Sequence, residues 1–254
     1  MMIEEFLDYL RYERNRSPLT VKNYGDDLRA FYVFFKSLDD HLSWQSVDAD
    51  IVRDWMESMM DKGNNATSVN RRLSALRSFY RFALSRHLVD RDPAHNIEGP
   101  KTNKPLPQFL KESEMNRLLD DMEWGNSFNN VRARTIIIVF YETGIRLSEL
   151  TGLDDDDVSF INKELKVTGK RNKQRIIPFG DELAKGLQDY ERRRDKDVTR
   201  VTDGLFLNRK GKRVTNVQVR KMVEDNLAKV TTMKKRSPHV LRHTFATAML
   251  NHNA

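Results

Sequence analysis

Two short stretches of this 254-residue chain hold residue types suited to gripping an anion. Gly144 interrupts a helix-forming run. Arg146 follows it at the start of the next helix, where unpaired backbone N–H groups already make the surroundings positive. Glu149, three residues on, pairs with Arg146 across one helical face and fixes its guanidinium. A guanidinium held in this way suits a non-bridging phosphate oxygen, although surface pairing alone explains the same spacing. In His239-Val240-Leu241-Arg242-His243, three-residue spacing places His239 and Arg242 on one face. Two histidines four apart would suit a zinc protease. Val240 stands where the protease base would be Glu, no acidic ligand lies nearby, and His243 is assigned to packing or hydrogen bonding. The run Asp154-Asp155-Asp156-Asp157 lacks the spaced ligands and glycine of a calcium loop and reads as a solvated acidic turn. There is no phosphate loop of the nucleotide-hydrolase type and no cysteine, which excludes disulfides, a Cys nucleophile and Cys-ligated metals. No metal and no cofactor is implied.

The formal net charge is +7, and its distribution is uneven. Lys62 to Val89 holds six basic residues and no acidic one; Lys166 to Arg175 holds five and none. Asn208 to His243 holds eleven against Glu224 and Asp225, whereas the first 61 residues hold seven basic against thirteen acidic. Three separate cationic segments favour a polyanion, double-stranded DNA, over ordinary solvated faces. The longest aliphatic run, Ile136 to Phe140, is too short to span a bilayer, and the acidic start at Glu4-Glu5 is unlike a signal peptide. A cytoplasmic setting and no membrane partner are expected.

The elements that must position these groups fall into two parts. Four of the seven prolines lie between Arg91 and Pro107, which predicts a helical domain over 1–97, an extended linker over 98–107 and a second domain over 108–254. The expected fold class is mainly α: four N-terminal helices, then a mixed α/β domain with a small antiparallel sheet. Ser17-Pro18 marks a helix start, and Val21, Tyr24, Leu28, Phe31, Tyr32 and Phe35 stripe one side of that helix. A fourth helix spans about 67–86, with Val69, Leu73, Leu76, Tyr80 and Ala83 inward and Ser68, Arg71, Ser74, Ala75 and Ser78 outward. Small residues beside Arg71, Arg72, Arg77 and Arg81 would let that face approach a phosphate backbone. In the second domain, helices are predicted at 111–122, 130–142, 146–152, 181–195, 215–230 and 239–251. A hairpin turns at Gly169-Lys170-Arg171-Asn172, and Gly204-Leu205-Phe206-Leu207 is a possible third strand. Tyr190, between charged neighbours, is placed on a surface helix.

Together these segments resemble the tyrosine recombinases of the Xer/phage-integrase type. Val69-Asn70-Arg71-Arg72-Leu73-Ser74-Ala75-Leu76-Arg77-Ser78-Phe79-Tyr80 resembles the core-binding domain. Thr143-Gly144-Ile145-Arg146-Leu147-Ser148-Glu149-Leu150 is similar to the first catalytic box. Thr168-Gly169-Lys170-Arg171-Asn172-Lys173-Gln174-Arg175 is similar to the hairpin lysine segment, and His239 to Thr247 to the opening of the second box. The resemblance implies that Arg146 and Arg242 bind the scissile phosphate, Lys170 protonates the leaving 5′-oxygen and His239 assists proton transfer. Glu149 and His243 would support them, while Arg71, Arg72, Arg77, Arg81, Arg171 and Lys173 contact DNA. The family's nucleophilic tyrosine lies beyond the second box, whereas the last tyrosine here is Tyr190. The resemblance thus implies a chain that binds DNA without cutting it and is mainly monomeric, the complete protein acting as a homo-tetramer on DNA. The alternatives are a non-catalytic DNA-binding protein on this fold and a tyrosine-type topoisomerase.

Overall fold

Helices start here where a side-chain oxygen meets the unpaired N–H groups of a first turn. In the computed structural model, which describes residues 2–103, 106–169 and 172–251, α1 (Met2–Asp8) runs into a wide turn over Tyr9–Glu13. Then come α2 (Pro18–Leu38), α3 (Ala49–Asp61) and α4 (Ala66–Ser85). Ser17 accepts from the Thr20 N–H at 3.2 Å, Asp48 from Ile51 at 3.0 Å and Asn65 from Ser68 at 2.9 Å. Helix α4 packs on α1, α2 and α3 around an aromatic core. Trp44 and Phe79 stand 4.4 Å apart between ring centroids and Phe31 and Trp55 4.8 Å, tilted as ring quadrupoles favour. The Tyr80 hydroxyl donates to the Trp44 carbonyl at 3.1 Å.

Because α4 touches three helices, its face of small residues is not all open: Ala75 is fully buried. The basic side chains beside it are largely committed inside the unit. Arg71 embraces the buried Asp27 with both terminal nitrogens, one at 2.8 Å. Arg72 sits 3.6 Å from the same carboxylate. Arg77 donates to the Ala94 carbonyl at 3.0 Å and to that of Ile97. Asn70 donates to the Pro100 carbonyl at 2.8 Å, and a Cβ on Gly99 would overlap its side chain. Residues 94–100 therefore lie along α4, and 98–100, expected in the linker from their prolines, are clasped to the helical unit. Arg81 is exposed. Arg71→Glu is accordingly expected to destabilise this unit by about 2–4 kcal/mol, since it sets a second carboxylate against Asp27. Arg81→Glu should stay within about 0.5 kcal/mol of the parent. Calorimetric melting of the two variants distinguishes them, and an unchanged melt for Arg71→Glu would contradict the structural role of that pair.

The chain divides into this unit, Met1–Pro105, and a second, Leu106–Ala254. The second begins with α5 (Glu112–Asn116), which runs into a wide turn at Arg117–Asp121. Next come α6 (Phe128–Thr143) and α7 (Leu147–Thr151), then β1 (Val158–Ser159), β2 (Glu164–Thr168) and β3 (Gln174–Pro178). Helices α8 (Asp181–Asp197), α9 (Asn216–Leu227) and α10 (Pro238–Asn251) complete it. Ile136 to Phe140 of α6 are all buried, because α8, α9 and α10 surround that helix. The sheet is antiparallel in the order β1-β2-β3, with Leu165 between Val158 and Ile177 and Val167 opposite Arg175. Among the described residues no helix is long and apolar enough to cross a membrane.

Three sequence expectations change. The third strand is Val158–Ser159, not Gly204-Leu205-Phe206-Leu207; that apolar run is buried but forms only isolated bridges, Asp154 with Gly204 and Leu207 with Arg213. Tyr190 is not on the surface. It is fully buried in the stripe Leu183, Leu187, Tyr190, Arg194; its hydroxyl accepts from the Leu207 N–H at 2.9 Å, and burial pushes the phenol up to about 12. The acidic run is not merely solvated. Arg194 grips Asp155 at 2.7 and 3.0 Å, Arg200 joins it, Arg213 pairs with Asp154, and Lys166 with Asp157 at 3.2 Å. Only Asp156 is left exposed.

Candidate active site

Helix α6 ends at Gly144, whose φ of 56° is a left-handed stop that glycine adopts without strain; its N–H returns to the Phe140 carbonyl. A Cβ there would also overlap the Phe245 ring of α10. This one position thus reverses the chain and admits a side chain 101 residues further on. Two residues later Arg146 precedes α7, and Glu149 reaches back to accept its backbone N–H at 2.7 Å. The Glu149 carboxylate is buried and makes three further contacts, from Arg146 Nη1 at 2.9 Å and from Arg175 Nη1 and Nη2 at 2.8 and 2.9 Å. Arg175 comes from β3. Gly169, at the end of β2, closes the other side: a Cβ on it would stand 3.2 Å from Glu149 Oε1. Arg242, on α10, donates through Nη1 to the Gly144 carbonyl.

One turn thus gathers groups from the α6–α7 junction, the hairpin and α10. Burial alone would raise the Glu149 carboxyl; the hydrogen bonds from Arg175 and from the backbone and side chain of Arg146 outweigh it and hold the group at about 2. Desolvation first, and then the neighbouring charges of Arg146 and Arg175, pull the Arg242 guanidinium below its ordinary value, with Glu149 opposing. Three guanidiniums around one carboxylate leave a surplus of positive charge facing solvent, since the Arg146 side chain is 54% exposed. Such like-charge crowding is relieved by an anion. His239 lies in the first turn of α10. Desolvation and the charges of His243, Lys235, Arg220 and Arg242 keep its imidazole below the ordinary value, hence mostly neutral at pH 7.

Residues 108–254 match the phage integrase family, and residues 3–87 match the phage integrase N-terminal SAM-like domain. The chain belongs to the phage integrase family. It is a tyrosine-type site-specific recombinase, similar to tyrosine recombinase XerC of Chlorobaculum tepidum, at 36% identity over 98% of this chain and 82% of that one. It is similar also to tyrosine recombinase XerD of Staphylococcus haemolyticus, at 34% identity over 100% and 86%. In fold the recombinase resembles the Tn1549 transposon integrase in complex with transposon right end DNA, with TM-score 0.78 and 20% identity over 100% of this chain and 87% of that one.

Arg146, Glu149 and Arg242 of the recombinase meet at one place, and His239 shares α10 with Arg242. His243 is exposed and makes no hydrogen bond among the described residues, so its assignment to packing or hydrogen bonding does not hold. Lys173 is exposed; Lys170 and Arg171 lie outside the described residues. Arg71, Arg72, Arg77 and Arg81 all belong to the other unit. Sequence reading missed Arg175 as a site residue. The signal was present: it shares one half-buried face of β3 with Ile177, where an arginine favours an acidic partner.

Proposed function

We propose that the recombinase binds double-stranded DNA and holds one scissile phosphate between Arg146 and Arg242, the convergence of these two side chains at the Gly144 turn being the observation that carries the reading. Their donors stabilise the charge that builds on the non-bridging oxygens as phosphorus becomes pentavalent. His239, close to Arg242 and mostly neutral, holds a phosphate oxygen and relays a proton. Lys170, which in sequence lies between β2 and β3, protonates the departing 5′-oxygen. In the complete reaction a tyrosine hydroxyl attacks phosphorus and the 5′-oxygen leaves. The resulting 3′-phosphotyrosyl link keeps the phosphodiester energy for rejoining. No tyrosine follows Tyr190 in these 254 residues, and the Tyr190 hydroxyl is buried against Leu207. Tyr190 is therefore not proposed as the nucleophile. The recombinase is proposed to act as a homo-tetramer on DNA. The DNA complex of the Tn1549 integrase, on the same fold, supports the choice of partner.

Duplexes selected from a random library provide the test. Affinity is expected to fall steeply with salt, because each neutralised phosphate releases a counterion. A nicked suicide duplex should give no adduct at Tyr190, and light scattering with the selected duplex should give a tetramer. A covalent adduct at Tyr190, or binding indifferent to salt, would overturn the reading; failure to form a tetramer on that duplex would overturn its assembly part.

A further inference from the structure

Glu149 poses a difficulty for any role of Arg146. A buried carboxylate beside an arginine neutralises it, and a guanidinium in a closed pair with one acid has little charge left for a phosphate. Here the closed pair is made by a different residue. Arg175 places Nη1 and Nη2 on the two oxygens of Glu149 at 2.8 and 2.9 Å, the two-pronged geometry that a guanidinium fork and a carboxylate share. Arg146 touches the same carboxylate through one side-chain nitrogen, at 2.9 Å, and one backbone N–H, at 2.7 Å. The rest of its side chain makes no further salt bridge among the described residues, and the side chain is half-exposed.

We infer that Arg175 is a positioning residue for Arg146: by closing the bidentate pair with Glu149 it leaves the Arg146 guanidinium oriented but electrically unspent. The inference rests on the phosphate-binding reading above. Without Arg175, the two Glu149 oxygens have only Arg146 to answer them. The carboxylate then turns toward that guanidinium and draws its second terminal nitrogen out of the site. Lysine at 175 keeps the charge but is a single point and cannot cover both oxygens. The strand position also matters. Val167 stands opposite Arg175 across the hairpin, and Gly169 lies against Glu149, so the same carboxylate lies at the base of the β2–β3 hairpin.

The test uses the full chain and a duplex site selected from a random library, with a neutral methylphosphonate walked through each phosphate in turn. In the parent, one position should cost at least about tenfold in affinity, the scale of a lost charge-assisted hydrogen bond. Arg146→Ala should shrink that penalty to less than about threefold, the remainder being the contact made by Arg242. Arg175→Ala and Arg175→Lys are each expected to shrink it to less than about threefold, and neither should lower it further when combined with Arg146→Ala. A purely structural role for Arg175 would weaken binding to all duplexes alike and leave the penalty whole. Arg175→Lys serves as the reading if Arg175→Ala melts too low. A full tenfold penalty in a folded Arg175 variant overturns the inference and leaves the phosphate reading intact. A parent with no penalised position overturns that reading and the inference with it.

Discussion

Glu149→Gln is expected to lower the stability of the second unit by about 3–5 kcal/mol, the cost of breaking a buried ion pair from one side. The amide keeps one carbonyl oxygen and turns an NH2 group toward guanidinium donors, so two arginines lose their counter-charge. The pH dependence gives an independent reading. The parent carboxyl titrates near 2 in the folded state against an ordinary 4.5. Its contribution is full above pH 4.5, declines as pH falls from there toward 2, and amounts to about 3 kcal/mol over that window. Calorimetric melts between pH 7 and pH 3 should show the parent approaching the variant as acid is added. A Gln variant that melts with the parent at pH 7 would contradict the role given to this carboxylate.

Gly144→Ala should be almost as damaging, for different reasons. A left-handed backbone costs a residue with a Cβ about 1–2 kcal/mol. The overlap with Phe245 adds about 1–3 kcal/mol of overpacking, because the ring is anchored on α10 and must move with it. Any such movement carries Arg242 away from the Gly144 carbonyl, so DNA affinity should fall even where the protein still folds. Gly186→Ala in α8 is the control, since its nearest neighbours to a new Cβ are Ile138 and Thr135 at 3.7 and 3.9 Å. It should be neutral or stabilise by about 0.4–1 kcal/mol. Equal losses for the two variants would show that the Gly144–Phe245 contact does not organise the site.

Much of this was legible in the residues alone. Val21, Leu28, Phe31 and Phe35 of the first stripe and Val69, Leu73, Leu76, Tyr80 and Ala83 of the second are buried as their periodicity requires, whereas Tyr24 is half-buried and Tyr32 exposed. Ser17 caps where a serine before proline should. The Arg146–Glu149 pair forms at its three-residue spacing, because that relation is local. Relations between distant segments were not legible. Arg71 and Arg77 look like a solvent-facing row on a helical wheel, which shows neither Asp27 on α2 nor the carbonyls of Ala94 and Ile97. Charged neighbours hid the burial of Tyr190, since Arg194 in the same stripe is buried only because Asp155 answers it. The short strand at Val158–Ser159 has too few residues for alternation to speak.

That Arg146 and Arg242 act on a single phosphate is tested most directly by a crystal structure of this chain with its selected duplex. Both guanidiniums should lie within hydrogen-bonding distance of non-bridging oxygens of the same phosphate, with Arg175 still closed on Glu149. Contacts of the two arginines with different phosphates, or with none, would contradict it.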